Sequence, residues 1–296
     1  MKTQLITLAS LILLTACGTG SSPYDASGTF EAVETIVSAE ASGTIKALDI
    51  AEGQSIQKGQ TVGYIDSVQL YLRKKQLHAQ IRAVLSKRPN IPAQLSALYE
   101  QLKQAKREQQ RIANLLKSDA ATQKQYDDAT SQTAVIERQI EAQESSLDIT
   151  SASLRDEALP LHVQIEQLND QLAKCNIVNE VNGTVLVKYA EPFESTVSGK
   201  PLYKIADLSS IILRAYITGD QLPKIKLNQK VTVLIDDEGG KYKEYPGTVA
   251  WINNKAEFTP KTIQTKDERA NLVYALKINV KNDGFIKIGM YGEVKL

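Results

Sequence analysis

Few side chains in this sequence could do catalytic or metal chemistry. The chain of 296 residues contains two histidines, His78 and His162, and two cysteines, Cys17 and Cys175. The histidines could share a metal ion, but zinc usually takes at least three protein ligands, so we interpret both as solvated side chains. The sequence contains no phosphate-binding glycine loop and no nucleophile elbow. These observations predict that the chain is not an enzyme and holds no metal or cofactor.

Cys17 ends a motif that is typical of sites of lipid attachment. An uncharged, largely apolar run after Lys2 ends in Leu14-Thr15-Ala16-Cys17, which is typical of a secretory signal with a lipobox. In bacterial lipoproteins this pattern implies cleavage before the cysteine and lipidation of its sulfur, so we expect residues 1–16 to be a signal peptide. The alternative is an ordinary signal peptide that is cleaved nearby. Gly18 leaves open which membrane holds the lipid.

The remaining composition narrows the class of protein. The chain has 35 basic and 34 acidic residues, and this near-zero net charge gives no sign of a nucleic-acid partner. After the signal, no run approaches the ~20 apolar residues that a membrane-spanning helix needs. Residues 17–27 are interpreted as a lipidated N-terminus and flexible tether. Cys175 remains as a single thiol, which excludes a disulfide framework and predicts a buried structural role.

An internal repeat occurs at an offset of 140 residues. EASGTIKALDIAEGQSIQKGQTVGYID (40–66) aligns with EVNGTVLVKYAEPFESTVSGKPLYKIA (180–206), with identities that include Gly43/Gly183 and Ser55/Ser195. Short β-type segments alternate with glycine turns in each copy, which predicts two half-sheets related by a pseudo-twofold axis. One copy buries too little surface to be stable alone, so we expect the halves to pack face to face as a sandwich.

Heptad repeats fill the region between the two copies. Apolar residues recur every seven positions at Leu70, Leu77, Val84, Ile91, Leu98, Ala105 and Ile112 and at Ile140, Leu147, Leu154, Leu161 and Leu168. Sustained heptads predict coiled coil, and the short break between the arms predicts an antiparallel hairpin. At ~1.5 Å per residue, arms of about fifty residues give a rod of roughly 75 Å. Pro89 and Pro92 predict a break in the first arm, and Pro160 a milder bend in the second.

The segment LKSDAATQK (116–124) interrupts the helical pattern at the tip of this rod. Thr122 followed by Gln125 fits a capping box, in which each side chain accepts a backbone N–H at the start of the returning helix. Leu115 precedes the seam residue Leu116, so we expect its side chain to face outward. An exposed apolar residue at such a tip usually marks a contact.

Period-two segments dominate the sequence after Asp207. They are IILRAYIT (211–218), KVTVLID (230–236), GTVAWIN (247–253), LVYALKINV (272–280) and MYGEVKL (290–296). Five or six strands of this spacing predict a small antiparallel barrel or sandwich, with a short helical turn after the first strand.

These patterns predict an α+β chain with a mostly β head and a long coiled-coil hairpin. The head comprises a split β-sandwich, with the hairpin inserted between its halves, and a small β-barrel; the sandwich resembles a lipoyl/biotinyl domain. Residues 28–66 form the first lipoyl-like half with its N-terminal strand, and residues 176–206 form the second half. Residues 67–175 form the hairpin, with arms of about 67–117 and 122–175, and residues 207–296 form the barrel.

A split half-repeat, an inserted helical hairpin and a following barrel, behind a lipoprotein signal, resemble the periplasmic adaptors called membrane fusion proteins, the HlyD family. The lipoyl-like likeness rests on SGTIKALDIAEGQSIQKGQTVGYID and NGTVLVKYAEPFESTVSGKPLYKIADL. The ending FTPKTIQTKDERANLVYALKINVKNDGFIKIGMYGEVKL is similar to the barrel of members that serve ABC-type exporters. Phe193 departs from the pattern, because glycine is common at its position.

The resemblance also implies a docking site at the hairpin tip. Adaptors that dock onto outer-membrane channels of the TolC type carry Arg, Leu four residues later and Ser seven after that; here Arg111, Leu115 and Thr122 stand at these spacings. Arg111 has another explanation as a solvated helix charge, and Thr122 has one as a helix cap, whereas an outward Leu115 is the most diagnostic of the three. A carrier lysine is not expected, because the helical insertion replaces the turn that would hold it.

The resemblance implies a non-enzymatic adaptor in the periplasm, anchored by lipid at Cys17 to the inner membrane. Its expected partners are an inner-membrane ABC-type permease and ATPase, a TolC-like outer-membrane channel and further copies of the chain in a hexameric ring. Alternatives are an adaptor of a proton-driven pump, a lipid-anchored coiled-coil scaffold without a transporter, and a cofactor-carrying domain of an enzyme complex. The transported substrate cannot be read from the sequence.

Overall fold

The computed structural model describes residues 24–258 and 272–296. The expected signal peptide (1–16), Cys17 and most of the expected tether lie outside the described residues. The strands are β1 Ala26–Glu31, β2 Glu34–Ser38, β3 Gly43–Leu48, β4 Ser55–Ile56, β5 Thr61–Ile65, β6 Asn176–Val178, β7 Gly183–Lys188, β8 Ser195–Thr196, β9 Pro201–Ala206, β10 Ser210–Thr218, β11 Lys230–Asp237, β12 Lys241–Ile252, β13 Glu257–Phe258, β14 Leu272–Lys281 and β15 Tyr291–Lys295. The α-helices are α1 Val68–Leu85, α2 Ile91–Lys117 and α3 Gln123–Lys174.

The two repeats build a sandwich of two four-stranded sheets. The strand orders are β2-β9-β7-β4 and β6-β5-β3-β8. Each sheet therefore has two central strands from one half of the sandwich and two edge strands from the other half, and the edge strands β2 and β6 lie just before the aligned segments. The expectation of one half-sheet per repeat is therefore corrected. The exchange has a physical reason, because each repeat's edge strands supply hydrogen-bonding partners that the other repeat's central strands would otherwise lack.

The pairing register confirms the internal repeat. Ile45 pairs with Ile65 and Leu48 with Gly63 across β3 and β5, and the residues 140 positions later pair in the same way across β7 and β9. Even the register irregularity within each pair of strands recurs at the same place. One hydrophobic core lies between the sheets and includes Ile45, Ile65, Val185, Leu202 and Ile205.

The region between the repeats is a helical hairpin, as the heptads predict. Both α1 and α2 pack along α3, so the first arm is split while the second is continuous for 52 residues and passes through Pro160. The first arm breaks between Leu85 and Ile91, which confirms the prediction made from the two prolines. Asn90 caps α2 by accepting a hydrogen bond from the Ala93 amide, and Pro92 lies in the first turn, where its missing N–H costs nothing.

The predicted seam residues lie between the arms. Of the heptad residues, Leu77, Ile140, Leu147 and Leu168 are buried and the others are at least partly buried. Further buried residues of the arms are Ile81, Leu95, Ile136 and Ile165. Near the sandwich, the seam forms a cluster that includes Leu77, Ile81, Ala158 and Ile165. This apolar seam fixes the arms side by side and therefore fixes the position of the tip that joins them.

The third part is an antiparallel barrel of six strands in the order β10-β1-β15-β11-β12-β14, closed by pairing of β10 with β14. The short strand β13 pairs with β14 outside this ring. The interior of the six-stranded barrel holds aliphatic residues and Phe30. The expected helical turn is present at Leu222–Lys224.

The position of strand β1 changes the domain boundary that the sequence pattern predicts for the first half of the sandwich. The sequence pattern assigns residues 28–66 to the first lipoyl-like half, but Ala26–Glu31 forms ladders with β10 and β15 and belongs to the barrel. The barrel needs this strand, because without it β10 and β15 would each have an unpaired edge. The chain therefore enters the barrel first, crosses to the sandwich at residues 32–33 and returns after Ala206. The other boundaries stay predictions.

Candidate functional site at the hairpin tip

The first arm ends in a tight turn that encloses the carbonyl group of Leu115. The Asp119 amide donates to the Leu116 carbonyl, and the Ala120 amide donates to the Leu115 carbonyl at 2.9 Å. This pair of bonds is a Schellman motif, which requires a left-handed residue after the helix cap. Asp119 occupies that position with φ of 57°, where glycine is more usual. The tip is therefore a defined turn with satisfied backbone groups.

The second arm begins with the capping box that the sequence predicts. The Gln125 amide donates to Thr122 Oγ1 at 3.3 Å, and the Thr122 amide donates to Gln125 Oε1 at 2.8 Å. The Thr122 hydroxyl lies 3.1 Å from Gln125 Oε1 and is oriented to donate to it. The cap thus uses the hydroxyl proton within the chain, while the exposed Thr122 methyl group and one oxygen lone pair remain available to a partner.

Arg111 lies one helical turn before Leu115 and forms an ion pair with Glu108. Its Nε donates to Glu108 Oε2 at 2.8 Å, and its second guanidinium nitrogen binds the other carboxylate oxygen. This bidentate hydrogen bonding lowers the pKa of Glu108 and raises that of Arg111. Both side chains are largely exposed. An exposed pair of this kind contributes little to stability, so Arg111 can exchange Glu108 for a partner's carboxylate at small cost.

Leu115 is half-buried, like its neighbour Leu116. The turn bonds to its backbone, because the Ser118 and Ala120 amides donate to the Leu115 carbonyl. The outward direction predicted for its side chain stays a prediction. The structure places Arg111 and Leu115 on successive turns of α2 and Thr122 across the turn, all at the free end of the hairpin.

A buried polar network at the base of the hairpin was not found from the sequence. Asn179 is fully buried, donates to the carbonyl groups of Gln57 and Val181, and accepts from the Tyr203 hydroxyl at 3.1 Å. Burial, and secondarily the charge of Glu180, raises the pKa of Tyr203 to about 12. The two side chains of the network belong to the second half of the sandwich, since Ala39 and Gly63 stand 140 positions before Asn179 and Tyr203. This difference between the halves is the sequence feature from which the network could have been predicted.

The cysteine and histidine side chains lie away from the hairpin tip. Cys175 is buried, as predicted, and its thiol donates to the Gln171 carbonyl. Burial, with a contribution from the charge of Asp66, raises the Cys175 pKa, which disfavours the nucleophilic thiolate. His78 and His162 are exposed on separate arms. In residues 24–258 and 272–296, no three histidine, cysteine or carboxylate side chains gather as metal ligands.

Comparison with solved structures identifies this arrangement of sandwich, hairpin and barrel. The membrane fusion protein Spr0693 from Streptococcus pneumoniae R6 superimposes with a TM-score of 0.52 over 91% of this chain and 97% of that chain, at 15% identity. The chain has the fold of the membrane fusion proteins. MacA from Actinobacillus actinomycetemcomitans gives a TM-score of 0.54 at 20% identity, covering 91% of this chain and 76% of that one. The membrane fusion protein fold thus accounts for nearly the whole chain.

Curated relatives match a smaller part of the chain. A UPF0194 membrane protein from Acidithiobacillus ferridurans is 33% identical over 110 residues, which are 37% of this chain and 32% of that protein. The UPF0194 membrane protein YbhG from Salmonella gallinarum is 30% identical over 125 residues, or 42% of this chain and 37% of that protein. The chain thus matches about a third of the length of these relatives. No protein family model matches the chain.

Within the described residues, no helix combines the length and apolar character needed to cross a membrane.

Proposed function

We propose that this chain is a periplasmic adaptor of the HlyD-like type, which links an inner-membrane ABC-type exporter to a TolC-like channel in the outer membrane. One observation carries the proposal: a hairpin whose return helix alone has 52 residues projects from a sandwich and barrel with the membrane fusion protein fold. At ~1.5 Å per residue this helix spans roughly 75 Å. A rod of that length, ending in an ordered turn, suits a protein that bridges two distant partners.

The parts of the molecule have distinct roles in this proposal. Lipid on Cys17 holds the N-terminus to the inner membrane, and the sandwich and barrel pack with further copies into a ring, a hexamer, over the transporter. The apolar seam keeps the hairpin rigid. The Schellman turn and the capping box hold Arg111, Leu115 and Thr122 at its end, where they contact the helical end of the channel. The chain supplies no energy source, so transport draws on the partner's ATPase.

The chemistry of the tip suits such a contact. Arg111 is exposed and only weakly committed to Glu108, so it offers a charged anchor. Leu115 is half-buried and offers apolar surface without requiring the turn to open. The Thr122 methyl group and free lone pair add a small amphipathic contact. An ABC-type exporter is preferred over a proton-driven pump because the barrel ending resembles that of adaptors serving ABC exporters.

Substitution at Leu115 tests tip docking. Leu115→Asp places a charge where the channel contact is proposed, and we expect loss of export and of in-cell cross-linking between hairpin and channel, with helix content unchanged by circular dichroism. Leu115→Ala and Leu116→Ala form the matched pair, because both side chains are half-buried and lose similar packing. Docking predicts that only the Leu115 variant loses cross-linking. Equal losses in both variants would make the effect one of folding and would refute tip docking through Leu115.

A further inference from the structure

The N-terminal tether joins the barrel at one of its two ends. Asp25 precedes strand β1; its carboxylate accepts from the Leu296 amide at 2.9 Å, and the Gln221 side chain donates to its carbonyl at 2.7 Å. This end of the barrel is the tether end. Tyr24 lies seven positions after Cys17, a stretch that can span at most ~25 Å. Lipid on Cys17 would therefore keep the tether end close to a membrane surface.

The two ends of the barrel differ in charge. Residues 219–230 at the tether end contain three lysines and one aspartate, whereas residues 236–241 at the opposite end contain three acidic residues and one lysine. Strand β11 runs between these segments and is about 23 Å long. Lys226, Lys230 and Lys295 of the tether end are exposed, and no ion pair between described residues involves any of the three. The tether end thus presents positive charge to its surroundings.

A tight turn at the tether end exposes the side chain of Leu227. The Gln229 amide donates to the Lys226 carbonyl at 3.2 Å, and the Lys226 amide donates to Gln229 Oε1 at 2.9 Å. Asn228 is the left-handed residue of the turn, with φ of 64°, and its amide donates to the Val249 carbonyl of β12 at 2.8 Å. Leu227 therefore occupies a fixed corner, where its side chain is 60% exposed.

The conformation of this turn does not require an apolar residue at its corner. Two turns of the sandwich, at residues 57–60 and 197–200, have the same backbone bond between their first and last residues and a left-handed glycine at the third position. Their corner residues are Lys58 and Ser198. Leu227 is thus apolar surface that the turn itself does not need.

Trp251, the only tryptophan of the chain, lies near this turn in β12. It follows Val249 by two positions toward the tether end, and the backbone of Val249 bonds to Asn228 and Gln229 of the turn. The register of β12 against β14 shifts between Val249 and Trp251, and the Trp251 side chain is 40% exposed. Tryptophan is enriched where membrane meets water. Exposed leucine, tryptophan and lysine side chains at one end of the barrel are the combination typical of interfacial surfaces.

We propose that the tether end of the barrel binds the anionic surface of the inner membrane, with Lys226, Lys230 and Lys295 at the lipid phosphates and Leu227 and Trp251 among the headgroups. Two observations select lipid as the occupant: the tether limits the distance to the bilayer, and the charge of this end complements anionic lipid. The contact goes beyond the proposed function, in which lipid on Cys17 alone holds the chain to the membrane. It rests on that function for its biological setting.

The fluorescence of Trp251 measures this contact in the full chain without an added label. The chain is reconstituted in vesicles of phosphatidylglycerol and phosphatidylethanolamine, or of phosphatidylcholine alone, with brominated acyl chains that quench tryptophan on contact. We expect a shift of the emission to shorter wavelength and strong quenching in the anionic vesicles, both reversed by high salt, and little change in the neutral vesicles. Trp251→Phe gives the background signal.

Single substitutions identify the residues that make the contact. Lys226→Gln and Lys230→Gln should each lower the ratio of membrane-bound to free barrel ends about fivefold, and Leu227→Ala should lower it about tenfold. Lys241→Gln removes one exposed lysine from the opposite end of the barrel and is the matched control, so its quenching should equal that of the wild type. Circular dichroism and thermal unfolding check that each variant is folded.

Three results would overturn the proposal: wild-type emission that is the same in both kinds of vesicle, equal losses in Lys241→Gln and the tether-end variants, or wild-type quenching in Leu227→Ala. Co-purification with a permease, measured on the same variants, separates this inference from the proposed function. Permease binding that depends on Lys226 and Lys230, without quenching in vesicles, would assign this surface to the permease and refute the membrane contact. Quenching that depends on charge, without a permease, refutes only the adaptor role.

Discussion

The side chains of Ser55 and Thr184, which are 129 residues apart in the chain, lie 3.3 Å apart across the pair of β4 and β7. The equivalent residues Ser195 and Thr44 are opposite each other across β8 and β3. Each repeat thus completes the sheet of the other. The sandwich can form only when the hairpin brings its two ends back together, so the fold couples the base of the hairpin to the head.

Thr122 provides a test of the capped tip. Thr122→Ala removes the oxygen that accepts the Gln125 amide and should destabilise the hairpin by about 1 kcal/mol. Thr122→Ser keeps that oxygen and should retain stability. Thermal unfolding followed by circular dichroism measures the first effect. A Thr122→Ala variant that unfolds at the wild-type temperature would show that the capping box does not stabilise the second arm.

Phe193 provides a test of strain in the sandwich. It adopts φ of 73° at the position equivalent to Gly53, whose φ is 83°, and its side chain is 78% exposed. A left-handed conformation costs a residue with a Cβ about 1–2 kcal/mol, part of which glycine's flexibility offsets. Phe193→Gly should therefore stabilise the chain by about 0.5–1 kcal/mol in urea unfolding. Phe193→Ala keeps the strain and is the control; equal stability of the two variants would contradict the explanation.

The raised pKa of Tyr203 predicts how the stability of the folded chain depends on pH. Its pKa is raised from 10.0 to about 12, so the folded state favours the neutral phenol. The resulting stabilisation is complete below pH 10 and is lost as the pH rises through about 12, by roughly 2–3 kcal/mol in all. Tyr203→Phe removes this dependence and, by leaving Asn179 Oδ1 without its donor, lowers the free energy of unfolding at pH 7 by about 1–2 kcal/mol.

Urea unfolding of the wild type and Tyr203→Phe at pH 7, 9, 10.5 and 11.5 measures that difference. Other tyrosines and lysines titrate in both proteins, so only the gap between the two curves is informative. We expect the gap to narrow above pH 10. A gap that stays constant would mean that Tyr203 does not remain neutral in the folded chain.

The sequence predicted the larger features of the fold because they depend on periodic patterns. The heptads gave the hairpin, Pro89 and Pro92 gave its break, and the alignment at offset 140 gave the sandwich. Exchange of edge strands between the repeats was not predicted, since a sequence alignment contains no information about which copy supplies a partner. The place of β1 in the barrel was missed for a related reason: Ala26–Glu31 is distant in sequence from the strands β10 and β15 that it joins.

The candidate site was predicted less completely. The cap formed by Thr122 and Gln125 depends on local spacing, and the structure confirms it. The heptad predicts an outward Leu115, and the structure gives Leu115 the same intermediate burial as Leu116, because exposure at the end of a helix also depends on how the chain turns back. The docking roles of Arg111, Leu115 and Thr122, and lipidation of Cys17, stay predictions.

Affinity purification of the full chain from cross-linked cells tests the central claim most directly. After solubilisation of both membranes and mass spectrometry, the adaptor function predicts recovery of an inner-membrane permease with its ATPase and of an outer-membrane channel. Leu115→Asp should lose the channel while retaining the permease. Recovery of the wild-type chain with neither a transporter nor a channel would contradict the account and would favour a lipid-anchored scaffold.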